Sequence, residues 1–456
     1  MNASENGSPA DAFLAAVRGD RAVDAAHLLE QRPDLAHDSL WAACAAGDEA
    51  EVGARLARDP GSATREDAHR LAPLLYACAA WDAALGDAFA ERLTACARRL
   101  LDAGASANTM MQWGPEPENA IPALYFATSR GNVPLTRLLL ERGAEPNDGE
   151  SIFHAAQHDR RECLELLVAH GADPSNAHAV HGNTPLHFLM SCYEPGSPGT
   201  ILSGMRWLLE HGADPNAPSG KDQETALHSG ARVPDSEPAI DLLHEFRADL
   251  GRTRGDGATP YALAIRHGRR KTAVYLAALG APTDLEPLDR FLDACFAGEE
   301  RTARALLAAH PDLMSTFGAD ERGRLASAAA ENRADAVRVM LAVGFDPAWE
   351  STWAGTPLHH AAWHARTGVT RMLLEHRAPV NARDREFGSS PLGWLCHGSV
   401  HGHGVPDDYL TVADLLIDAG ADRESAMNRW GEPAEALASA PLAQRLAERG
   451  LAPPRA

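Results

Sequence analysis

The chain has 456 residues, with 63 acidic against 42 basic side chains for a formal net charge of −21, and is 45 % hydrophobic but only 6 % aromatic. That charge excludes a surface built to bind nucleic-acid backbones, where Lys and Arg must displace counterions, and no apolar run is long enough to span a bilayer. A core made mostly from Ala and Leu is implied, which suits closely packed short helices.

In chain order, residues 1–10 are polar, lack the basic and apolar segments of a secretory leader, and are expected to be a disordered N-terminus outside the fold. From Asp11 onward a pattern recurs: a short run opening on Thr-Pro or its equivalent, a Gly, a Leu-rich run and a Gly-Ala close. It is clearest at Thr184-Pro185-Leu186-His187 and Thr356-Pro357-Leu358-His359, and weaker at Thr225-Ala226-Leu227-His228, Thr259-Pro260-Tyr261-Ala262 and Ser390-Pro391-Leu392-Gly393. The closes include Gly143-Ala144-Glu145-Pro146-Asn147 and Gly212-Ala213-Asp214-Pro215-Asn216. Pro fits the first turn of a helix, where its missing N–H would be unpaired anyway. Gly accepts the left-handed backbone that ends one. The two marks pair as Gly131/Gly143 and Gly268/Gly280, with Asp159/Gly171 and Asn332/Gly344 as substituted forms.

A turn and two short helices at a period of about 33 residues closely resembles the ankyrin repeat. The resemblance covers nearly the whole chain and implies an all-α ankyrin-repeat solenoid of about twelve helix-turn-helix units. These begin near Asp11, Ser39, Ala72, Pro122, Glu150, Thr184, Thr225, Thr259, Leu288, Gly323, Thr356 and Ser390, and a cap follows from Asn428 to Gly450. One domain over residues 11–456 is expected. The first, second and ninth units close on Pro, as in Arg32-Pro33-Asp34-Leu35 and His310-Pro311-Asp312-Leu313, which suggests possible halves 11–285 and 286–456. Insertions between paired helices fall at Asp82 to Arg92, Tyr193 to Gly199 and Val400 to Asp408, the last read as a loop because Gly and Pro break helices. The seventh unit, with Pro234 and Phe246 where the others have Gly, is expected to be the weakest joint. Within the resemblance, His187, His228 and His359 bond between units. The finger turns carry Met110, Met111 and Trp113, and Trp349 and Trp353, as packing or partner contacts.

The implied register also places a set of side chains on the concave face. They are Phe126 and Arg130; His154 and His158; Phe188; Arg232; Arg266; Asp293; Glu331; His360, Trp363 and His364; Trp394 and His397. Such a groove implies an unknown protein partner, with no nucleic acid and no membrane, and either a scaffold or an inhibitor whose acidic groove masks a basic protein. A second reading is enzymatic. His360 and His364 are four apart on one helix face, and Glu331 and His397 occupy matching positions on the neighbouring helices, so the four could hold a divalent metal that acts on a small substrate. No H-E-x-x-H, phosphate loop or serine elbow accompanies them, and no other cofactor is expected. In the binding reading, Trp363 and Trp394 are exposed anchors beside histidines that titrate near 6.5. The seven scattered cysteines read as small buried hydrophobes of a reducing, cytoplasmic compartment. The preference for Arg over Lys, with Lys221 and Lys271 the two lysines, reads as the codon bias of a bacterial genome.

Overall fold

A computed structural model describes residues 8–19, 21–112, 120–194, 196–352, 354–402 and 404–451. Helices come in pairs whose first members start at Pro9, Leu40, Pro73, Ala123, Ser151, Pro185, Ala226, Pro260, Pro287, Arg324, Pro357 and Pro391, each within two residues of a unit read from the sequence. Two shorter helices, Ala434–Leu437 and Ala440–Glu448, form the cap. The chain divides into two compact units, Met1–Pro260 and Tyr261–Ala456.

The Thr-Pro starts fold as the sequence requires. In helices Pro185–Ser191, Ala226–Arg232 and Pro357–Trp363 the preceding Thr sits in extended backbone, and its Oγ1 lies 2.8–2.9 Å from Nδ1 of the motif His three residues on. The far nitrogen, Nε2, donates to a carbonyl of the next repeat: Glu224 for His187, Ala258 for His228 and Ser389 for His359, at 2.9, 3.2 and 3.0 Å. Each of these rings is therefore neutral and pins one unit to the next. Burial pushes His187 and His228 down to about 4 and lowers His359 as well.

Within the second unit, first helices stack on first helices and second on second. Helix Pro357–Trp363 packs between Arg324–Ala330 and Pro391–His401, while Thr367–Glu375 packs between Ala334–Val343 and Pro406–Asp418. One residue per first helix, Phe291, Leu325, Leu358 and Leu392, and pairs such as Val337/Met340, Val369/Leu373 and Val412/Leu416 from the second helices form a continuous core. In the first unit Leu124, Ile152, Leu186 and Leu227 take the same positions. The cap closes the second unit with Leu442, Ala443 and Leu446 buried, and with Arg445 and Arg449 both paired to Asp414.

Several expectations are corrected. The first helix begins at Pro9, capped by Ser8, because Ser8 and Asp11 close a reciprocal capping box; residues 1–7 lie outside the described set. Two of the three inserted segments are partly helical, while the described residues of Tyr193 to Pro198 form no helix. Helix Asp87–Asp102 starts inside the first, and Pro391–His401 runs on into the third, where Pro406 opens the next helix, leaving only residues 402–405 between them. In the finger, Met110–Gln112 pairs antiparallel with Ala120–Pro122; residues 113–119, with Trp113, and also Trp353 and His403 lie outside the described residues. In the seventh repeat the left-handed residue is Arg247 (φ 68°), one past Phe246. Asp159, Asn332 and Ala365 likewise take positive φ where other repeats use Gly. The proline closes wind into 3₁₀ turns, Pro33–His37 and Pro60–Thr64.

Candidate functional site

The best-formed cavity of the second unit, about 420 Å³, lies beside helices Pro357–Trp363 and Pro391–His401. Five residues of the expected groove line it: His360, Trp363, His364, Trp394 and His397. The rest of its wall comes from Gly393 and Leu437 on helices and from two turns, Phe387 and Ser389 from the finger before the second helix, and Asn428, Trp430 and Glu432 from the start of the cap.

Close helix packing sets the positions of the rings. Gly398 has no Cβ, and one would run into the backbone carbonyl of Trp363. That same carbonyl, at the end of its helix, accepts the Tyr409 hydroxyl at 3.0 Å. The two helices thereby bring the indoles of Trp363 and Trp394 to 5.9 Å between centroids, edge to face. Trp394 is the hub, with His360 at 5.4 Å and Phe387 at 6.0 Å, and Phe387 in turn meets Trp430 at 6.3 Å. Such perpendicular ring pairs match the aromatic quadrupole.

Polar bonds fix the rings against rotation. Trp394 Nε1 donates to Asp384 Oδ2 at 3.0 Å, and Asp384 also accepts the backbone N–H groups of Glu386, Phe387 and Ser389, so one buried carboxylate shapes the finger that carries Phe387. Burial pushes the Asp384 carboxyl up, but these donors together hold it below the usual carboxylate range. At the cap, Asn428 Oδ1 accepts from the N–H of Trp430 and Glu432 while its Nδ2 donates to Glu432 Oε2 at 2.8 Å. Trp430 remains 65 % exposed, and one face of its ring carries Arg429 at 5.6 Å.

The histidines are not equivalent. His360 Nε2 donates to the Ala354 carbonyl at 2.9 Å and lies 3.1 Å from Ser351 Oγ, tying the preceding finger to its helix. Burial pushes this ring down to about 4, so the expectation of titration near 6.5 is wrong for it. His397 is lowered too, by burial and by His401 at 4.4 Å. Trp363 and Trp394 are half-buried in the wall, not freely exposed.

The proposed metal set is not assembled. Glu331 is held by Arg269, and by Arg333 at 2.8 Å, on its own side of the stack. His360 spends its Nε2 proton on backbone. Among the described residues no three His, Cys, Asp or Glu side chains come close enough to hold an ion.

The other expected groove residues fall elsewhere. Phe126, Arg130 and His158 line a cavity of about 550 Å³ in the first unit, with Arg18 and Arg160. His154 lies edge-on to Tyr125 and Phe188, both at 4.8 Å, and its Nε2 is 3.3 Å from Glu150. Arg232 pairs with Glu224, and Asp293 grips Arg270 through two 2.8 Å bonds. Arg266 is not a groove residue: it is 4 % exposed and bonded to Asp289, itself buried. Sequence reasoning missed Phe387, Trp430 and Glu432. Trp430 carried the signal, being a Trp in a Gly-containing turn like those flagged earlier.

A helical-hairpin repeat chain with a ring-lined pocket is the class that this geometry defines. The family described as "Ankyrin repeats (3 copies)" matches residues 81–178 and 124–219, and "Ankyrin repeat" matches residues 355–385. The chain therefore carries ankyrin repeats, in a solenoid fold. Ankyrin repeat and SOCS box protein 16 of Homo sapiens is 33 % identical over 149 residues, 32 % of this chain and 31 % of that protein. The Nuclear factor NF-kappa-B p105 subunit of Gallus gallus is 29 % identical over 177 residues, 37 % of this chain and 17 % of that one. The chain thus spans under a third of either relative. The crystal structure of the human ASB11 ankyrin repeat domain covers 54 % of this chain and 99 % of its own, at 24 % identity and a TM-score of 0.40. Both relatives are eukaryotic, so the bacterial origin read from the Arg bias gains no support from them.

Proposed function

We propose that the chain is a protein-interaction scaffold that holds a macromolecular partner through the concave groove and finger turns of its repeats, in the cytoplasm. The observation that carries this reading is the pocket of Trp363, Trp394, Phe387 and Trp430, four rings beside a cavity of about 420 Å³. Interface hot spots favour Trp in partly enclosed pockets. A ring 65 % exposed at such a rim is costly to leave in water. Ankyrin repeat and SOCS box protein 16, one of the relatives, joins ankyrin repeats to another module. No helix of the described residues is long and apolar enough to cross a membrane. The enzymatic reading loses its motive, since its carboxylate is tied to two arginines.

The test is capture by the full chain followed by mass spectrometry, with Trp430→Ala as the probe variant because Trp430 contributes little to the core. Loss of the captured partner at an unchanged melting curve is expected. Capture that survives both Trp430→Ala and Trp363→Ala would remove the pocket from the interface.

A further inference from the structure

The pocket's charge and shape say what would enter it. Four Trp and Phe side chains wall it, and two of its histidines are held neutral: His360 is fixed as a neutral donor to backbone, and burial lowers His397. No Lys or Arg is among the residues that line it, and Glu432 is the one acidic side chain there. Asn428 holds that carboxylate in place through Oε2, which leaves Oε1 as an acceptor aimed by a rigid turn. Aromatic faces attract a cation through their quadrupole, and the chain as a whole carries −21. An anionic or purely apolar side chain would leave Glu432 opposed or unanswered.

Building on the scaffold reading, we propose that this pocket takes the guanidinium of one arginine from an extended segment of the partner, its plane against the indoles and its edge on Glu432. Arginine fits better than lysine. Its planar, weakly hydrated fork stacks on rings while bonding a carboxylate sideways, whereas an ammonium needs three acceptors arranged around it. The wall offers one carboxylate oxygen, Glu432 Oε1, and mostly ring surface. Arg429 already lies over the Trp430 ring at 5.6 Å, so a guanidinium sits beside this ring within the same turn.

The experiment titrates full-length protein with five-residue Gly/Ser peptides that carry one central side chain, read by tryptophan fluorescence and calorimetry. The arginine peptide is expected to bind at least ten-fold more tightly than the citrulline peptide, its uncharged isostere. The lysine and trimethyl-lysine peptides should fall between. Glu432→Gln should bring the arginine peptide down to the citrulline level, and Trp430→Ala should weaken it several-fold, both with unchanged melting curves. Equal binding of arginine and citrulline, tighter binding of trimethyl-lysine or glutamate, or no peptide binding at all would overturn the assignment. Those outcomes leave the scaffold reading standing if the full chain still captures a partner in a manner sensitive to Trp430→Ala. Capture indifferent to the pocket would sink that reading instead.

Discussion

Each compact unit has a cavity beside a pair of histidines spaced i, i+4 at a first helix, and the two cavities differ in their charged side chains. In the first unit, beside His154 and His158, the wall holds Arg18, Arg130 and Arg160, and all three guanidiniums are committed. They bond Tyr76 Oη, the Ala79 and Trp81 carbonyls, and the Ser129 carbonyl, at up to 3.1 Å. In the second unit, beside His360 and His364, the wall is mainly Trp, Phe and His with one carboxylate. The histidine spacing is the same, so it does not make a site. What the next repeat and the fingers bring to it does: Arg side chains that stitch backbone in one case, and ring faces in the other.

Removing the cap should break the comparison most severely. Truncation after Asp422 takes away Asn428, Trp430 and Glu432 and bares the second helix of the last repeat, where Val412 and Leu416 are fully buried. Terminal repeats seal the apolar end of a solenoid. The truncated chain is expected to aggregate or melt in part while the first unit keeps its helicity, measured by light scattering and circular dichroism. A monomeric product with an unchanged melting curve would contradict this.

Acid should weaken both units. His187, His228 and His360 are all pushed down to about 4, against an unfolded value of about 6.5, so between those limits the unfolded chain binds protons that the folded chain refuses. Stability is whole above pH 6.5 and is lost as pH falls toward 4, by on the order of 1 kcal/mol per pH unit for each ring. Asp148, raised to about 6 by burial, works the other way, since its protonation favours the fold, but it is one group against three. Urea midpoints at pH 7 and 5 check the sign, and His360→Gln should flatten the slope by about one ring's share. A midpoint independent of pH would mean these rings are protonated in the fold.

The reach of the sequence follows from these same residues. Thr-Pro starts, Gly and Pro closes and the motif histidines were legible because each is a local demand of backbone geometry, repeated many times. Five of the pocket residues were legible because the repeat register places them on one face. Phe387, Asn428, Trp430 and Glu432 were not, because turns between repeats follow no register and their convergence depends on Asp384 and Asn428 bonding their own loops. Arg266 was misplaced for a related reason: the register gives a face, and only the structure shows the neighbouring Asp289 that buries it.

A narrower intervention changes the second cavity alone. Gly398→Val would drive a side chain against the Trp363 carbonyl and displace the Tyr409 hydroxyl bonded there. Overpacking of this kind costs about 1–3 kcal/mol. Partner capture should fall with it, whereas Arg130→Ala, which strips two carbonyls of their donor in the first unit, should cost a similar amount without touching capture. Equal loss of capture in the two variants would erase the distinction between the cavities.

The smallest effect, and the sharpest contrast, lies within the histidine pairs themselves. His158 is an exposed residue at the end of its helix, so His158→Ala should shift stability by less than about 0.5 kcal/mol. His360 is different although its place in the spacing is ordinary. Its Nε2 is bonded to the Ala354 carbonyl, and Gly355, at φ 78°, turns the chain against His359, so the ring locks the finger that precedes its own helix. His360→Ala removes the shorter of the two hydrogen bonds to that carbonyl, the other being from Ser351 Oγ at 3.2 Å, and should cost about 1 kcal/mol, with faster amide exchange between Ser351 and Thr356. His360→Asn, too short to reach, should behave like the alanine variant, and His360→Gln should recover part of the loss because its amide N–H can donate to the same carbonyl. Equal stability of all three variants would show that the ring holds the finger by packing against Trp394 and not by its hydrogen bond.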